Sequence, residues 1–256
     1  MTRQYQIQKI TGKPDWNKIE KAPIDQKLWL PCEQISAYAQ LAYDDSRLYV
    51  RLHAEEPTIR AENTGMLDQP CQDSCLEFFF SAAEQDARYI NIELNPSLCI
   101  YFGFGTGRED LMRILLPDGA KTLHAASERT PSGWDVTYEL PFQLLRLFFP
   151  DFAPSGTIRG NFYKCGDLTV QEHYLAWNRV DAGAVKKSVL FSHSSSLSAP
   201  GLVTCDRKIC SKRSASFILI SSLVDIYFLA RASTRRGARS QRYAAARRYS
   251  PWFPRG

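Results

Sequence analysis

The sequence predicts an all-β fold, a jelly-roll-like antiparallel β-sandwich followed by a basic, largely irregular C-terminal tail. Three observations predict it. Short runs of alternating apolar and polar residues recur between turns rich in Gly, Pro, Asp and Ser. Helical periodicity is almost absent, and no strand–helix–strand rhythm supports a doubly wound nucleotide-binding sheet. Charge then divides the 256-residue chain. Residues 1–185 hold 18 Lys and Arg against 25 Asp and Glu, a net of −7, whereas residues 186–256 hold 14 against 2, a net of +12. The expected units are a sandwich over residues 1–185 and a Ser/Arg-rich tail over 186–256, either disordered or frameshifted.

The opening segment through Trp29 mixes turns with Trp16, Ile19, Ile24 and Leu28, and is expected to wrap an edge of the body. Ala37–Tyr43 reads as a strand, and in the next one Leu48, Val50 and Leu52 alternate with Arg47, Arg51 and His53. In Asp73–Phe80 the inner row is Leu76, Phe78 and Phe80, with Asp73, Cys75, Glu77 and Phe79 opposite. Tyr89–Asn95 alternates strictly, Ile90, Ile92 and Leu94 on one side and Tyr89, Asn91, Glu93 and Asn95 on the other, the period of a strand with one face in a core. Leu98–Phe104 follows and runs into Gly103-Phe104-Gly105-Thr106-Gly107-Arg108. That stretch lacks the Gly-Lys-Ser/Thr ending of a phosphate loop and reads as a hairpin connection. Lys121–Glu128 is a weaker strand, and Trp134, Val136, Tyr138 and Leu140 mark a clear one. Pro141–Phe149 is a short helix with Pro in its first turn. Thr157–Cys165 and His173–Trp177 complete the body as strands.

In the tail, Ser216–Ala230 is an apolar run that contains Asp225 and falls short of the roughly 20 residues a membrane helix needs. It is expected to be buried or aggregation-prone, with no membrane span. Arg235-Arg236, Arg239, Arg242 and Arg247-Arg248, interleaved with Tyr243 and Tyr249, have the composition of a nucleic-acid contact, but an unselected basic tail explains them as well and nucleic acid is not an expected partner. The start, Met1–Gln6, has no apolar h-region, so no secretory signal is expected and a cytoplasmic location is favoured. Seven cysteines are spread without zinc-pair spacing. Cys71-x-x-x-Cys75 is at most a partial ligand set, and mostly reduced, partly buried thiols are the preferred reading. No catalytic triad order is present, so no catalytic residue is assigned.

The face carrying Glu77, Asn91, Glu93 and Asn95 is the best functional candidate. Carboxylates and side-chain amides grip vicinal hydroxyls with paired hydrogen bonds, and aromatic rings stack on sugar C–H faces. The plain alternative is a solvated outer sheet face. A second alternative makes Glu77 and Glu93 the paired carboxylates of a glycoside hydrolase, and a third is an interaction protein with a nucleic-acid-binding tail. His173 reads as a satisfied structural residue. Trp177 reads as core or as a platform for a ring.

Four stretches in order resemble one family: Asp73-Ser74-Cys75-Leu76-Glu77-Phe78-Phe79, Tyr89-Ile90-Asn91-Ile92-Glu93-Leu94-Asn95, Asn161-Phe162-Tyr163-Lys164-Cys165-Gly166-Asp167 and His173-Tyr174-Leu175-Ala176-Trp177-Asn178. They are similar to the family-nine-like carbohydrate-binding proteins, and Ala39–Glu56 resembles that family's early hairpin. The resemblance, over about residues 12–180, implies a sandwich that binds a mono- or oligosaccharide, commonly with calcium as a structural ion, in carbohydrate catabolism. It implies that Glu77 contacts sugar hydroxyls, that Asn91 and Glu93 contribute from the following strand, and that Trp177 is a candidate platform. Two departures stand out. Gln69-Pro70-Cys71-Gln72 has no aromatic where the sugar-binding modules carry one of their two tryptophans, and after Asn178-Arg179-Val180 the chain leaves the family's closing-strand pattern.

Overall fold

The computed structural model describes residues 3–83, 85–154 and 156–180, and beyond these the backbone of four short strands. In chain order the elements are β1 (Gln8–Lys9), β2 (Ala22–Ile24), β3 (Gln26–Lys27), β4 (Ser36–Tyr43), β5 (Arg47–Glu55), β6 (Cys75–Ser81), β7 (Tyr89–Leu94), β8 (Ile100–Gly105), β9 (Met112–Leu115), α1 (Gly119–Thr122), β10 (Ala126–Arg129), β11 (Gly133–Pro141), α2 (Phe142–Phe148), β12 (Arg159–Gly166) and β13 (His173–Ala176). β14 (Lys186–Lys187), β15 (Leu202–Val203), β16 (Phe217–Ile220) and β17 (Ile226–Leu229) follow.

One sheet runs β1-β4-β5-β11-β10, with β2 also on β4, and the other runs β9-β8-β7-β6-β12-β13-β3 and is extended beyond β9 by β16 and β17. All ladders are antiparallel except β1–β4 and β16–β9. Each sheet contributes the apolar half of its alternation to one core. Leu41, Val50, Leu52, Trp134, Val136 and Leu140 come from the first, and Leu76, Phe78, Phe80, Ile90, Ile92, Leu94 and Phe162 from the second. Phe78 stacks on Phe80 at 4.5 Å and on Phe162 at 4.8 Å between ring centroids, which locks β6 to β12. Among the described residues no helix is long and apolar enough to cross a membrane.

Three expectations change. Lys121–Glu128 is not one strand: Asp118 and His124 take φ of 45° and 46°, in the left-handed region, and bracket the single turn α1 before β10 begins. β9, Met-Arg-Ile-Leu, was not expected, and its pairing with β8 supplies what its sequence pattern does not. The opening segment joins two edges rather than wrapping one, since β1 and β2 flank β4 while β3 pairs with β13. The expected helix forms as α2, with Pro141 as its N-cap. In the expectedly irregular tail, β16 and β17 pair within the apolar run Ser216–Ala230; the arginine clusters lie outside the described residues.

Inside the sandwich sits a buried ion cluster. Lys164 Nζ lies 3.1 Å from Glu56 Oε2, contacts His173 Nε2 at 2.6 Å and donates to the Cys165 carbonyl at 3.0 Å. Glu56 also accepts from Ser74 Oγ at 2.9 Å and Trp134 Nε1 at 3.2 Å. Burial, with the Lys164 charge added, lowers the His173 pKa to about 4. The ring is therefore neutral at pH 7, with Nδ1–H donating to the Gln171 carbonyl at 2.6 Å and Nε2 accepting from Lys164. As expected from the sequence, His173 is structural: it ties β13 to β12 and to the residue that follows β5.

Candidate functional site

The polar halves of β6, β7 and β12 fall on the other face of the second sheet. Register places Glu77 opposite both Glu93 and Tyr163, Phe79 opposite Asn91 and Asn161, and Cys75 opposite Cys165. On the far side of β7, Tyr101 faces Glu93 and Gly103 faces Asn91, and Arg113 of β9 follows Gly103 in the same row. The sequence thus brings Glu77 and Glu93 together as direct cross-strand partners, about 5 Å apart at Cβ, with Asn91 two residues along from Glu93 on the same face and diagonal to Glu77.

This face is not the solvated surface that alternation alone suggested. Every residue of β6 and β7 is buried, with Glu77 at 6%, Asn91 at 1% and Glu93 at 1% exposure. A second apolar cluster of Leu28, Phe79, Tyr89, Tyr163 and Tyr174 lies on it, with Leu30 and Leu111 packed against that cluster. A strand buried on both sides usually reads as a continuous apolar run; here the second layer is mixed aromatic and polar, so the alternation survives burial.

Hydrogen bonding separates the polar residues. Asn91 Nδ2 donates to Glu93 Oε1 at 2.9 Å, while Asn91 Oδ1 is buried with no donor to it. Cys165 Sγ donates to Glu77 Oε1 at 2.8 Å. Asn95 is spent on the fold: Nδ2 donates to the Asn63 carbonyl and to Asp73 Oδ2, both at 2.8 Å, and Oδ1 accepts from the amides of Ser97 and Cys99. Asp73 Oδ2 also accepts from the Asn63 amide, and Arg60 Nε lies 3.1 Å from Asp73 Oδ1. Arg113 stacks on Tyr101 and donates to the carbonyls of Met66, Leu67 and Asp68, which fixes the loop before β6.

Trp177 does not join this group. It is 2% exposed within the main core, tilted against Phe162 at 5.5 Å and edge-on to Tyr5 at 6.2 Å. The side chain fills the sandwich interior, so a platform role is replaced by a packing role. The aromatic the sequence reading overlooked is Trp29. It is 38% exposed, holds a φ of 59° and meets Tyr174 edge-on at 5.2 Å, at the rim of the polar face. The only signal in the sequence was an isolated tryptophan in a turn-rich stretch.

Calcium, implied by the resemblance, asks for six to eight oxygen ligands. Among the described residues, the group of Cys, His, Asp and Glu whose ligand atoms lie within mutual reach is Cys75, Glu77 and Cys165, two sulfurs and one carboxylate. That donor set does not fit calcium. A cleft of about 460 Å³ lies between the Thr64–Met66 loop, β8, β9 and α1, and another of about 490 Å³ lies between Lys9–Gly12 and Asp44–Ser46; neither is lined by Glu77, Asn91 or Glu93.

A family profile described as Carbohydrate-binding family 9 matches residues 10–188. A solved candidate carbohydrate-binding protein from Bacteroides uniformis superposes with a TM-score of 0.62 at 21% identity, covering 75% of this chain and 100% of that one. A carbohydrate-binding module of family 9 from Caldicellulosiruptor kristjanssonii superposes in two structures. The one with cellotriose gives a TM-score of 0.50 at 13% identity, covering 68% of this chain and 84% of that one. The one with glucose gives 0.51 at 14%, covering 68% and 85%. At these identities the superpositions speak for the sandwich fold. No curated protein matches the chain.

Proposed function

The chain belongs to carbohydrate-binding family 9, and from that premise we propose that its sandwich binds a mono- or oligosaccharide without transforming it, through Glu77, Asn91 and Glu93. The observation that carries the assignment of residues is Asn91. Its Oδ1 is buried without a donor while its Nδ2 is held by Glu93, so the pair presents an aimed acceptor beside a carboxylate. A sugar hydroxyl that donates to Oδ1 satisfies a group whose isolation costs about 1–3 kcal/mol. Trp29, at the rim of the same face, supplies the apolar surface for a ring that Gln69–Gln72 does not. Because the acidic row is covered, ligand entry requires the segment Leu28–Leu30 to lift from Tyr174, whose carbonyl now accepts from the Leu28 amide at 2.8 Å.

Glu77 and Glu93 stand side by side on one sheet face, and the reading as binding without hydrolysis is supported by the family match; turnover of an aryl-glycoside that disappears in Glu77→Gln would count against it. Calorimetric titration with glucose and cello-oligosaccharides tests the reading. Saturable binding that weakens at least tenfold in Glu77→Gln and in Asn91→Ala is expected. A folded wild-type chain that binds nothing in a panel of mono- and oligosaccharides removes it.

A further inference from the structure

Two cysteines that lie ninety residues apart in sequence face each other across the centre of the second sheet. Cys75 of β6 and Cys165 of β12 are direct register partners, both are free thiols, and both are buried. Glu77, two residues along β6, points from the same face. The two sulfurs and one Glu77 oxygen lie within 4.8 Å of one another.

We propose that Cys75, Cys165 and Glu77 form a binding site for one thiophilic divalent cation of the zinc class. A tetrahedral zinc ion with bonds of about 2.3 Å to sulfur and about 2.0 Å to oxygen sets its ligands about 3.5–3.8 Å apart, within the spread present here. Two sulfurs with one carboxylate select zinc-like ions over calcium and magnesium, which require oxygen shells. The strands that carry the ligands are central and paired along seven residues of β12, so the ligands sit on a rigid frame rather than on a loop. Glu93, opposite Glu77 in register, adds negative charge on the same face.

Without metal the sulfurs are thiols. Burial raises the Cys75 pKa to about 12, and hydrogen bonding toward Cys75 and then burial raise that of Cys165, whose thiol also lies 2.8 Å from Glu77 Oε1. Binding replaces both thiol protons by the cation: the two S–H protons leave to solvent, two S–M bonds and one O–M bond form, and one tetrahedral position stays open. The site shares Glu77 with the proposed sugar contact, but it does not depend on sugar binding.

The test is titration of the reduced, metal-stripped full chain with Co²⁺. One equivalent is expected to give a thiolate-to-cobalt charge-transfer band with tetrahedral d–d absorption, and Zn²⁺ is expected to displace it. The band should vanish in Cys75→Ser and Cys165→Ser, persist in Cys99→Ser, and persist with at least tenfold weaker affinity in Glu77→Gln. Absence of the band in folded wild type overturns the proposal, and so does its survival in the Cys75→Ser/Cys165→Ser double variant. If the serine variants fail to fold, the wild-type titration with the Glu77→Gln affinity decides alone. Sugar titration of metal-free and zinc-loaded chain separates the two readings, since either can fail while the other stands.

Discussion

Lowering the pH from 7 to 5 is expected to weaken the fold through His173. Its pKa in the folded protein is about 4 against an ordinary 6.5, because burial and then the Lys164 charge oppose protonation. A group held below its unfolded value binds protons more weakly in the folded state, so its contribution is present above about pH 6.5 and is lost as the pH falls toward 4. At pH 5 the unfolded ring is almost fully protonated and the folded ring about one-tenth protonated, a slope of about 1.2 kcal/mol per pH unit. Integrated, the loss is about 2 kcal/mol between pH 7 and 5 and about 3 kcal/mol by pH 4. His53 acts with the opposite sign. Burial alone would lower it, but hydrogen bonds to Asp135 and Glu55 prevail and raise it, so its contribution is retained in acid and lost as pH rises. Glu139 and Asp44, held at about 2, act only below about pH 4.5. The assay is therefore a comparison: urea unfolding at pH 7, 6 and 5 for wild type and His173→Gln. The variant should start lower and have a flatter dependence, with the difference closing by about 2 kcal/mol at pH 5. An unchanged slope in His173→Gln would refute the assignment of the buried neutral ring.

Three further outcomes follow from packing and charge. Trp177→Phe should cost about 1–3 kcal/mol in chemical denaturation yet leave sugar affinity unchanged, because the indole fills the core; a loss of affinity in the folded variant would restore the platform reading. Gly133→Ala should cost about 3 kcal/mol or more, since a Cβ there would lie 1.8 Å from the Ala54 carbonyl oxygen across the β11–β5 ladder; a near-wild-type melt would contradict that close approach. Glu139 accepts from Lys13, Arg47 and His124, contacts that outweigh its burial and hold its carboxyl at about 2. With Lys13 and His124 largely exposed, Glu139→Gln should cost only about 1 kcal/mol at pH 7, and the difference should disappear as pH falls from about 4.5 toward 2.

The strands legible in the sequence are those whose own residues alternate against a core: β4, β5, β6, β7 and β11 all lie within a residue or two of their expected spans. β9 escaped because two of its four residues are only half-buried, and its Arg113 is buried by the carbonyls it clamps, which are contributed from more than forty residues away. That Glu77 shares a face with Asn91, Glu93 and Asn95 was legible from alternation; the register that pairs it with Glu93, and the burial of both, were not. Period two states which side chains share a face and is silent on what covers that face. Leu28, Leu30 and Leu111 provide the cover from loops with no pattern of their own. For the same reason Trp177, at the end of a motif shared with sugar-binding proteins, proved to point inward, and Trp29, outside every motif, lies at the rim.

The polar side chains of this face divide by what remains for them to bond. Asp73, Asn91 and Asn95 are all short polar side chains, all buried, and all belong to the stretches that carry the family resemblance. Asn95 has both Nδ2 protons donated and Oδ1 accepting twice, and Asp73 Oδ2 receives two donors from the loop and from Asn95. Asn95 therefore has no capacity left for a ligand, and Asp73 Oδ1 is left facing Arg60 Nε at 3.1 Å. Asn91 sits mid-strand, and its Oδ1 has no donor among the described residues. A buried acceptor without a donor is disfavoured in a finished fold, and this one is the acceptor that the proposed sugar contact would use. One strip of sequence therefore holds two structural situations: Asn95, bonded at every position to the loops at the sheet's end, and a central pair, Asn91 with Glu93, bonded to each other across one period of the strand's alternation.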